Sequence, residues 1–285
     1  MSAAMDGPFH PGELRAQQLA GKGSSGGAIR SYMPEQHREF FAMLPFLLVA
    51  TVEDDGWPRA TVLSGAPGFV HSPDPATLRV AAPLDVPVGS RIGVLGLDFS
   101  TRRRNRANGV IAQVDGAGFT IDVGESFGNC PKYIRLRDVV PAAETGAAAA
   151  EGSFEGISEQ ARDMLAAADT LFVATTGGQY GADISHRGGA PGFVQMDGDT
   201  LTVPDYAGNR YFNTLGNMLI DDRVALLVID YTTGDVLHLQ GRAEVQWTGE
   251  TAGLPGAERL WRLQVERGTL RRGAVPLRWR PRPEE

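Results

Sequence analysis

The chain has 285 residues, long for one domain and comfortable for two, and its 36 glycines and 18 prolines point to many turns, which excludes an all-helical protein. A net charge of -7 opposes bulk attraction to nucleic acid or anionic lipid, so neither is expected as a partner. The single cysteine, Cys130, excludes an intrachain disulfide and a cysteine-built zinc or iron–sulfur centre, no metal site is expected, and a cytoplasmic location fits.

Residues 1–33 read as an N-terminal extension. Their opening, "MSAAMDGPFHPGELR", lacks a basic region followed by an apolar core, so no signal peptide is expected. "PEQHREFFAML" from Pro34 predicts a helix with proline in its first turn and Phe40, Phe41 and Leu44 on one face. The longest apolar run, Ala42 to Val52, is too short to span a bilayer and contains a proline. Short β-rich runs follow at Phe46 to Val52, Ala60 to Leu63, Thr77 to Ala81 and Ile92 to Leu97. A second helix, "SEQARDMLAAAD", starts at a serine cap, Ser158. It precedes runs at Leu171 to Thr175, Ala182 to His186, Thr200 to Val203, Val224 to Asp230 and Val236 to Val245.

The two series are copies. "SGAPGFV" from Ser64 is echoed by "GGAPGFV" from Gly188, at the offset that also lays Leu48 to Thr51 over Phe172 to Thr175. Further on, Asp98, Thr101 and Gly109 lie over Asp230, Thr233 and Gly241. In the shared phrase, Pro followed by Gly suits the centre of a type II turn, so Ala-Pro-Gly-Phe marks a copied hairpin rather than chemistry.

Chemistry is expected where the copies differ. The first reads "ATVLSGAPG" and the second "DISHRGGAPG", so Val62 and Leu63 become His186 and Arg187. In a strand Asp183, Ser185 and Arg187 share one face, and Ile184 and His186 the other. The loop "VPDYAGNRYFNTLGNML" from Val203 likewise replaces "VAAPLDVPVGSRIGVL". Gly208, Asn209 and Arg210 running into a helix-like stretch form a chemically suitable phosphate cradle, and Arg187 could converge on it. The bland alternatives are a solvated strand-end arginine and a capped helix start. "TRRRNR" from Thr101 lacks the interleaved aromatics of a nucleic-acid patch, and the lone Cys130 in "GNCPKYI" lacks a resolving partner.

Taken with "QHREFF", "GAPGFVHSPDP", "TRRRNRANG", "SFGNCPKYI", "SHRGGAPGF", "GNRYFNTLGN" and "GAERLWR", the chain resembles the pyridoxamine 5'-phosphate oxidase-like, FMN-binding split-barrel family, in its two-barrel form. The resemblance implies a mainly β fold: two tandem split β-barrels with short helices, packed as a pseudo-dimer. Residues 34–145 would form the first barrel, with a degenerate phosphate site, and 155–285 the second, with the FMN phosphate site and a C-terminal tail. It implies that Ser185, His186 and Arg187 meet the FMN phosphate, that Asn209 and Arg210 complete the cradle, and that Tyr206 lies near the ribityl or ring. Asn213 and Asn217 follow on the helix. From the first barrel Arg102, Arg104, Asn129, Lys132 and Tyr133 would approach the flavin.

The function so implied is that of an FMN-dependent oxidoreductase acting on a small molecule, with no assignable catalytic residue. A separate flavin or ferredoxin-type reductase would supply electrons, and further association into a homodimer stays open. The alternatives are a non-catalytic protein that holds a flavin, a deazaflavin or haem, and a scaffold whose cradle is vestigial.

Overall fold

The structure, a computed structural model, describes residues 7–143, 152–249, 251 and 253–283. An N-terminal segment carries α1 (Pro11–Leu19), and α2 (Glu35–Met43) opens the first sheet. That sheet contains β1 (Phe46–Val52), β2 (Pro58–Ser64), β3 (Val70–Asp74), β4 (Thr77–Val80), β5 (Arg91–Asp98), β6 (Arg103–Asp115) and β7 (Gly118–Gly128). After β8 (Arg137–Pro141) and β9 (Gly152–Glu155), α3 (Glu159–Ala167) opens the second sheet. Its strands and helix are β10 (Thr170–Thr176), β11 (Ala182–Gly188), β12 (Gln195–Asp197), β13 (Thr200–Tyr206), α4 (Asn213–Met218), β14 (Arg223–Ile229), β15 (Val236–Gln246) and β16 (Ala257–Arg271). The last strand, β17 (Leu277–Pro281), crosses back to pair with β8.

Strand order in the first sheet is β2-β1-β5-β6-β7-β4-β3, and in the second β11-β10-β14-β15-β16-β13-β12, which is the same permutation. The registers agree too: Leu95 faces Arg106 where Leu227 faces His238, and a register shift falls at Gly109 in one sheet and at Gly241 in the other. The two barrels are thus related residue by residue through the sheet.

Side-chain alternation explains how each barrel has a core and still packs on its twin. Leu47 and Val49 of β1 point into the first barrel, while Phe46, Leu48 and Ala50 point out of it. In β10, Leu171 and Val173 point inward, while Phe172 and Ala174 join Phe46, Leu48, Leu95 and Leu227 in a cluster between the barrels. Both faces of these strands are buried, which is why their sequences read as continuous apolar runs. Trp279 of β17 completes this cluster, 5.4 Å from the Phe46 ring, so the C-terminal tail packs in the interface core.

The expected turn is present twice. Phe69 N donates to Ala66 O, and Phe193 N to Ala190 O, both at 2.9 Å, with Gly68 at φ 94° and Gly192 at φ 84°. These are type II turns, in which the third residue needs a positive φ. The Ser158 hydroxyl caps α3 by accepting from Ala161 N. Three features differ from the sequence reading. "TRRRNR", outside every strand expected from the sequence, mostly enters β6, because alternate residues of that strand face the other barrel, where arginines find partners. The long strands β7 and β16 carry polar residues on one face and escape a search for apolar runs. The predicted link between residues 145 and 155 lies largely outside the described residues.

Candidate functional site

A cleft opens between the barrels, walled by β11, the end of β13 and the loop after it on one side, and by β6 and the segment after β7 on the other. Six basic side chains line it, Arg104, Arg106, Lys132, Arg187, Arg210 and Arg259, against two acidic ones, Asp205 and Glu258. A chain of net charge -7 therefore concentrates positive charge at one place, which selects for an anion.

The floor is built by arginines reaching across from β6. Arg104 donates through Nε to Cys130 O at 2.9 Å and through a terminal nitrogen to His186 Nδ1 at 3.0 Å. Burial pushes its guanidinium down to about 10, and repulsion by Arg106 and Arg187 adds to this. Arg106 is buried, donating to Ile184 O at 3.1 Å and to Asn213 Oδ1 at 2.9 Å, with Asp183 Oδ1 at 3.2 Å from its Nε. Burial lowers its pKa and the nearby Asp183 opposes that shift. Arg104 has no carboxylate partner of its own among the described residues, an arrangement that favours a bound anion.

His186 is held in one protonation state. An arginine can only donate, so Nδ1 must offer its lone pair and the proton of the neutral ring sits on Nε2. Burial, followed by Arg104 and Arg187, holds its pKa well below the ordinary histidine range.

Arg187 and Arg259 grip opposite oxygens of Asp205, and Arg259 also pairs with Glu258 at 3.0 Å. Arg210 is exposed and, like Lys132, makes no ion pair among the described residues. Arg210 has φ 63°, Phe212 φ 62° and Tyr133 φ 66°. Of the four non-glycine residues with positive φ among the described residues, these three line the cleft. Such conformations cost free energy and concentrate at binding sites. Tyr133 and Tyr206, one from each barrel, stack with ring centres 4.9 Å apart.

Of the residues expected from the sequence, Ser185, His186, Arg187, Tyr206, Asn209, Arg210, Asn213, Arg104, Asn129, Lys132 and Tyr133 all line this cleft. Several are already engaged: Ser185 Oγ accepts from Thr214 Oγ1 at 2.8 Å, and Asn209 Oδ1 accepts from Tyr211 N at 3.1 Å. Two expected residues do not line it. Asn217 is turned away, donating to Thr175 Oγ1 at 3.0 Å and facing His10 Nε2 at 2.9 Å, because α1 covers that side of α4. Arg102 sits in the turn between β5 and β6, just before the strand that carries Arg104 and Arg106 to the cleft. Sequence reasoning missed Arg106, Asp205 and Arg259, although they lie in the phrases "TRRRNRANG", "VPDYAGNR" and "GAERLWR".

The equivalent groove on the other side of the interface lacks this chemistry. Val236 stands where Arg104 stands, His238 where Arg106 stands, Val62 where His186 stands, and Pro83 to Pro87 where the Arg210 loop runs. Even the shared contact is inverted: Arg106 donates to Ile184 O, whereas His238 Nε2 accepts from Ala60 N at 3.2 Å.

Residues 157–267 match the family profile described as pyridoxamine 5'-phosphate oxidase, which covers the second barrel from the start of α3 into β16. The resemblance read from the sequence is thereby shown for the second half of the chain. No curated protein matches the chain. Among solved structures it is similar to HupZ of Group A Streptococcus (16% identity, 39% of this chain and 91% of that one, TM-score 0.33). It is also similar to a FAD-binding protein of Mesorhizobium loti (14%, 43% and 97%, TM-score 0.31) and to the heme storage protein HutZ of Vibrio cholerae (10%, 45% and 92%, TM-score 0.26).

Proposed function

We propose that the cleft holds one FMN per chain and that the protein is an oxidoreductase acting on a small molecule. The observation that carries this reading is a donor-rich, net positive cleft whose lining contains buried polar atoms without a hydrogen-bond partner, Arg187 Nε and Asn129 Oδ1. Buried polar groups are normally satisfied, so such orphans mark the place of a missing partner. The family match over the second barrel supports a flavin in particular.

Arg187 and Arg210 bind the phosphate in this reading, Arg187 being already held by Asp205 and therefore costing little side-chain entropy on binding. The stacked Tyr133 and Tyr206 flank the planar end, and Lys132 adds positive charge beside it. FMN, when bound, supplies hydride and electron transfer chemistry, and the protein tunes it through neighbouring charges. His186 offers no imidazole lone pair to a haem, since Nδ1 accepts from Arg104 and Nε2 carries the proton.

Purified protein is treated to release its chromophore, which is identified by mass spectrometry and quantified. One FMN per chain is expected. Two would contradict the asymmetry of the clefts, a deazaflavin would replace the cofactor while keeping the phosphate contacts, and a wild-type chain that binds no flavin on titration would end the reading. Reduction of the bound flavin by a nicotinamide or a separate reductase, followed by reoxidation by a small acceptor, separates an oxidoreductase from a binding protein.

A further inference from the structure

The N-terminal segment is built into the wall of the cleft. Helix α1 lies on α4 so closely that a β-carbon on Gly12 would stand 2.2 Å from Gly216 O, and one on Gly216 would stand 2.6 Å from the Glu13 backbone. The approach delivers Glu13, 4% exposed, to the buried side of α4. There Asn213 Nδ2 donates to Glu13 Oε1, while Asn213 Oδ1 accepts from Arg106 at 2.9 Å. Glu13 thus fixes which way the Asn213 amide points: with its nitrogen committed to the carboxyl group, its oxygen must face the guanidinium. A second path runs parallel, from Phe9 to Tyr211 at 5.6 Å, to Phe127 at 5.5 Å, and to the Arg106 guanidinium 5.4 Å from the Phe127 ring. Beyond α1 the segment runs along the second barrel, where Lys22 pairs with Glu258 of β16, and it then joins the first barrel through paired backbone bonds between Arg30 and Ser126.

We infer that Glu13 is a positioning residue of the cleft: carried in by α1, it orients Asn213 so that Arg106 is presented to a bound anion, which couples docking of the N-terminal segment to ligand binding. The inference rests on the reading of the cleft as an anion site, and it assigns the segment from Phe9 to Arg30 a part in that site.

The charges around Glu13 give the coupling a signature. The groups that face it are His10 from its own helix cap, Arg106 of β6, Glu125 of β7 and Asp183 of β11. Three carboxyl groups share one guanidinium, and Asp183 is the one in contact with it. Burial pushes Glu13 up to about 8, with Glu125 and Asp183 adding to the rise and the His10 and Asn213 hydrogen bonds opposing it. Glu13 therefore holds a proton at neutral pH. As pH rises through 8 its charge appears beside Arg106 and works against a bound anion.

The test is titration of full-length wild type, Glu13→Ala, Glu13→Gln and the α1 surface control Leu14→Ala with FMN, from pH 6.5 to 9. Hydrogen exchange of the α1 amides is followed with and without FMN. Glu13→Ala should lose about ten- to a hundredfold in affinity at pH 7, the worth of a contact to a charged group. Glu13→Gln should keep most of the affinity at pH 7 but lose the decline above pH 8, and Leu14→Ala should match wild type. FMN should slow exchange in α1 of the wild type. Should Glu13→Ala fail to fold, Glu13→Gln and the exchange data still decide. The inference is overturned if α1 protection is indifferent to FMN, if the alkaline decline survives in Glu13→Gln, or if folded Glu13→Ala binds within twofold of wild type. If wild type takes up pyrophosphate but not FMN, the flavin reading falls and the role of Glu13 is decided by the same comparison with pyrophosphate. If it binds neither, both fall.

Discussion

Arg104 of the first barrel donates to Nδ1 of His186 in the second at 3.0 Å, so each barrel holds a functional side chain of the other in place. Protonating Nδ1 would set an N–H against an N–H, which is the geometric reason the imidazole stays neutral. Nitrogen-15 spectra of histidine-labelled protein should show His186 as the Nε2–H tautomer across pH 5 to 8. Arg104→Met should release the tautomer, letting both forms appear, while burial, the larger cause, keeps the pKa below the ordinary histidine range. A wild-type His186 that titrates near neutrality would refute the contact.

Arg187 and Arg210 predict different phenotypes although both are assigned to the phosphate. Arg210 is exposed with φ 63°, a conformation that glycine adopts without strain. Arg210→Gly should therefore raise stability by about 0.5 to 1 kcal/mol while lowering FMN affinity about ten- to a hundredfold. Arg187 holds a buried carboxylate, so Arg187→Ala should lose similar affinity and also about 1 to 3 kcal/mol of stability, limited because Arg259 still pairs with Asp205. Denaturant midpoints alongside FMN titrations separate the two, and equal stability losses would show that the Arg187–Asp205 pair contributes nothing.

The contrast shows which parts of the site a sequence discloses. The bounds of β1, the Ser158 cap and the Ala-Pro-Gly-Phe turn depend on neighbouring residues, and they were legible. The residues that differ between the copies, Arg187 and Arg210 among them, line the cleft. Arg106 was hidden among the polar residues of β6, because its partners, Asp183 and Asn213, are set by packing between barrels. Asn217 was misplaced because nothing local says that α1 would cover α4. Arg259 lies 54 positions from the Asp205 it shares with Arg187, a pairing made by strands β13 and β16 lying side by side.

The duplicated turn predicts a matched pair of costs. A β-carbon on Gly68 or Gly192 would meet no atom within 4 Å, so any penalty comes from the backbone alone, at φ 94° and 84°. Gly68→Ala and Gly192→Ala should each cost about 1 to 2 kcal/mol, and leave FMN affinity unchanged. Thermal unfolding of both variants checks this, and a loss of flavin in either would give the turn a role in binding that its equal presence in both barrels argues against.

Stability should peak between the lowered histidine values and the raised value of Glu13, and fall on both sides for opposite reasons. Burial lowers the pKa of His10, His37, His186 and His238, the last to about 4, from an unfolded value of 6.5. Below 6.5 the unfolded chain therefore takes up protons that the folded one refuses, and the stability these rings contribute is lost as pH falls toward their lowered values. Glu13, raised to about 8, and Glu125, raised in the same direction, act the other way: their contribution is complete below about 4.5 and is lost as pH climbs through the raised values. On the acid side the lowered histidines, His238 at about 4 among them, make the slope positive; on the alkaline side Glu13, raised to about 8, makes it negative. His238 accepts from Ala60 N, a bond that protonation would break, so it should carry a large share of the acid limb. Urea unfolding from pH 4.5 to 8.5 should show the maximum, and His238→Gln, whose amide oxygen can still accept from Ala60 N, should flatten the acid side by about 1 to 3 kcal/mol. An unchanged acid slope in that variant would remove His238 from the account.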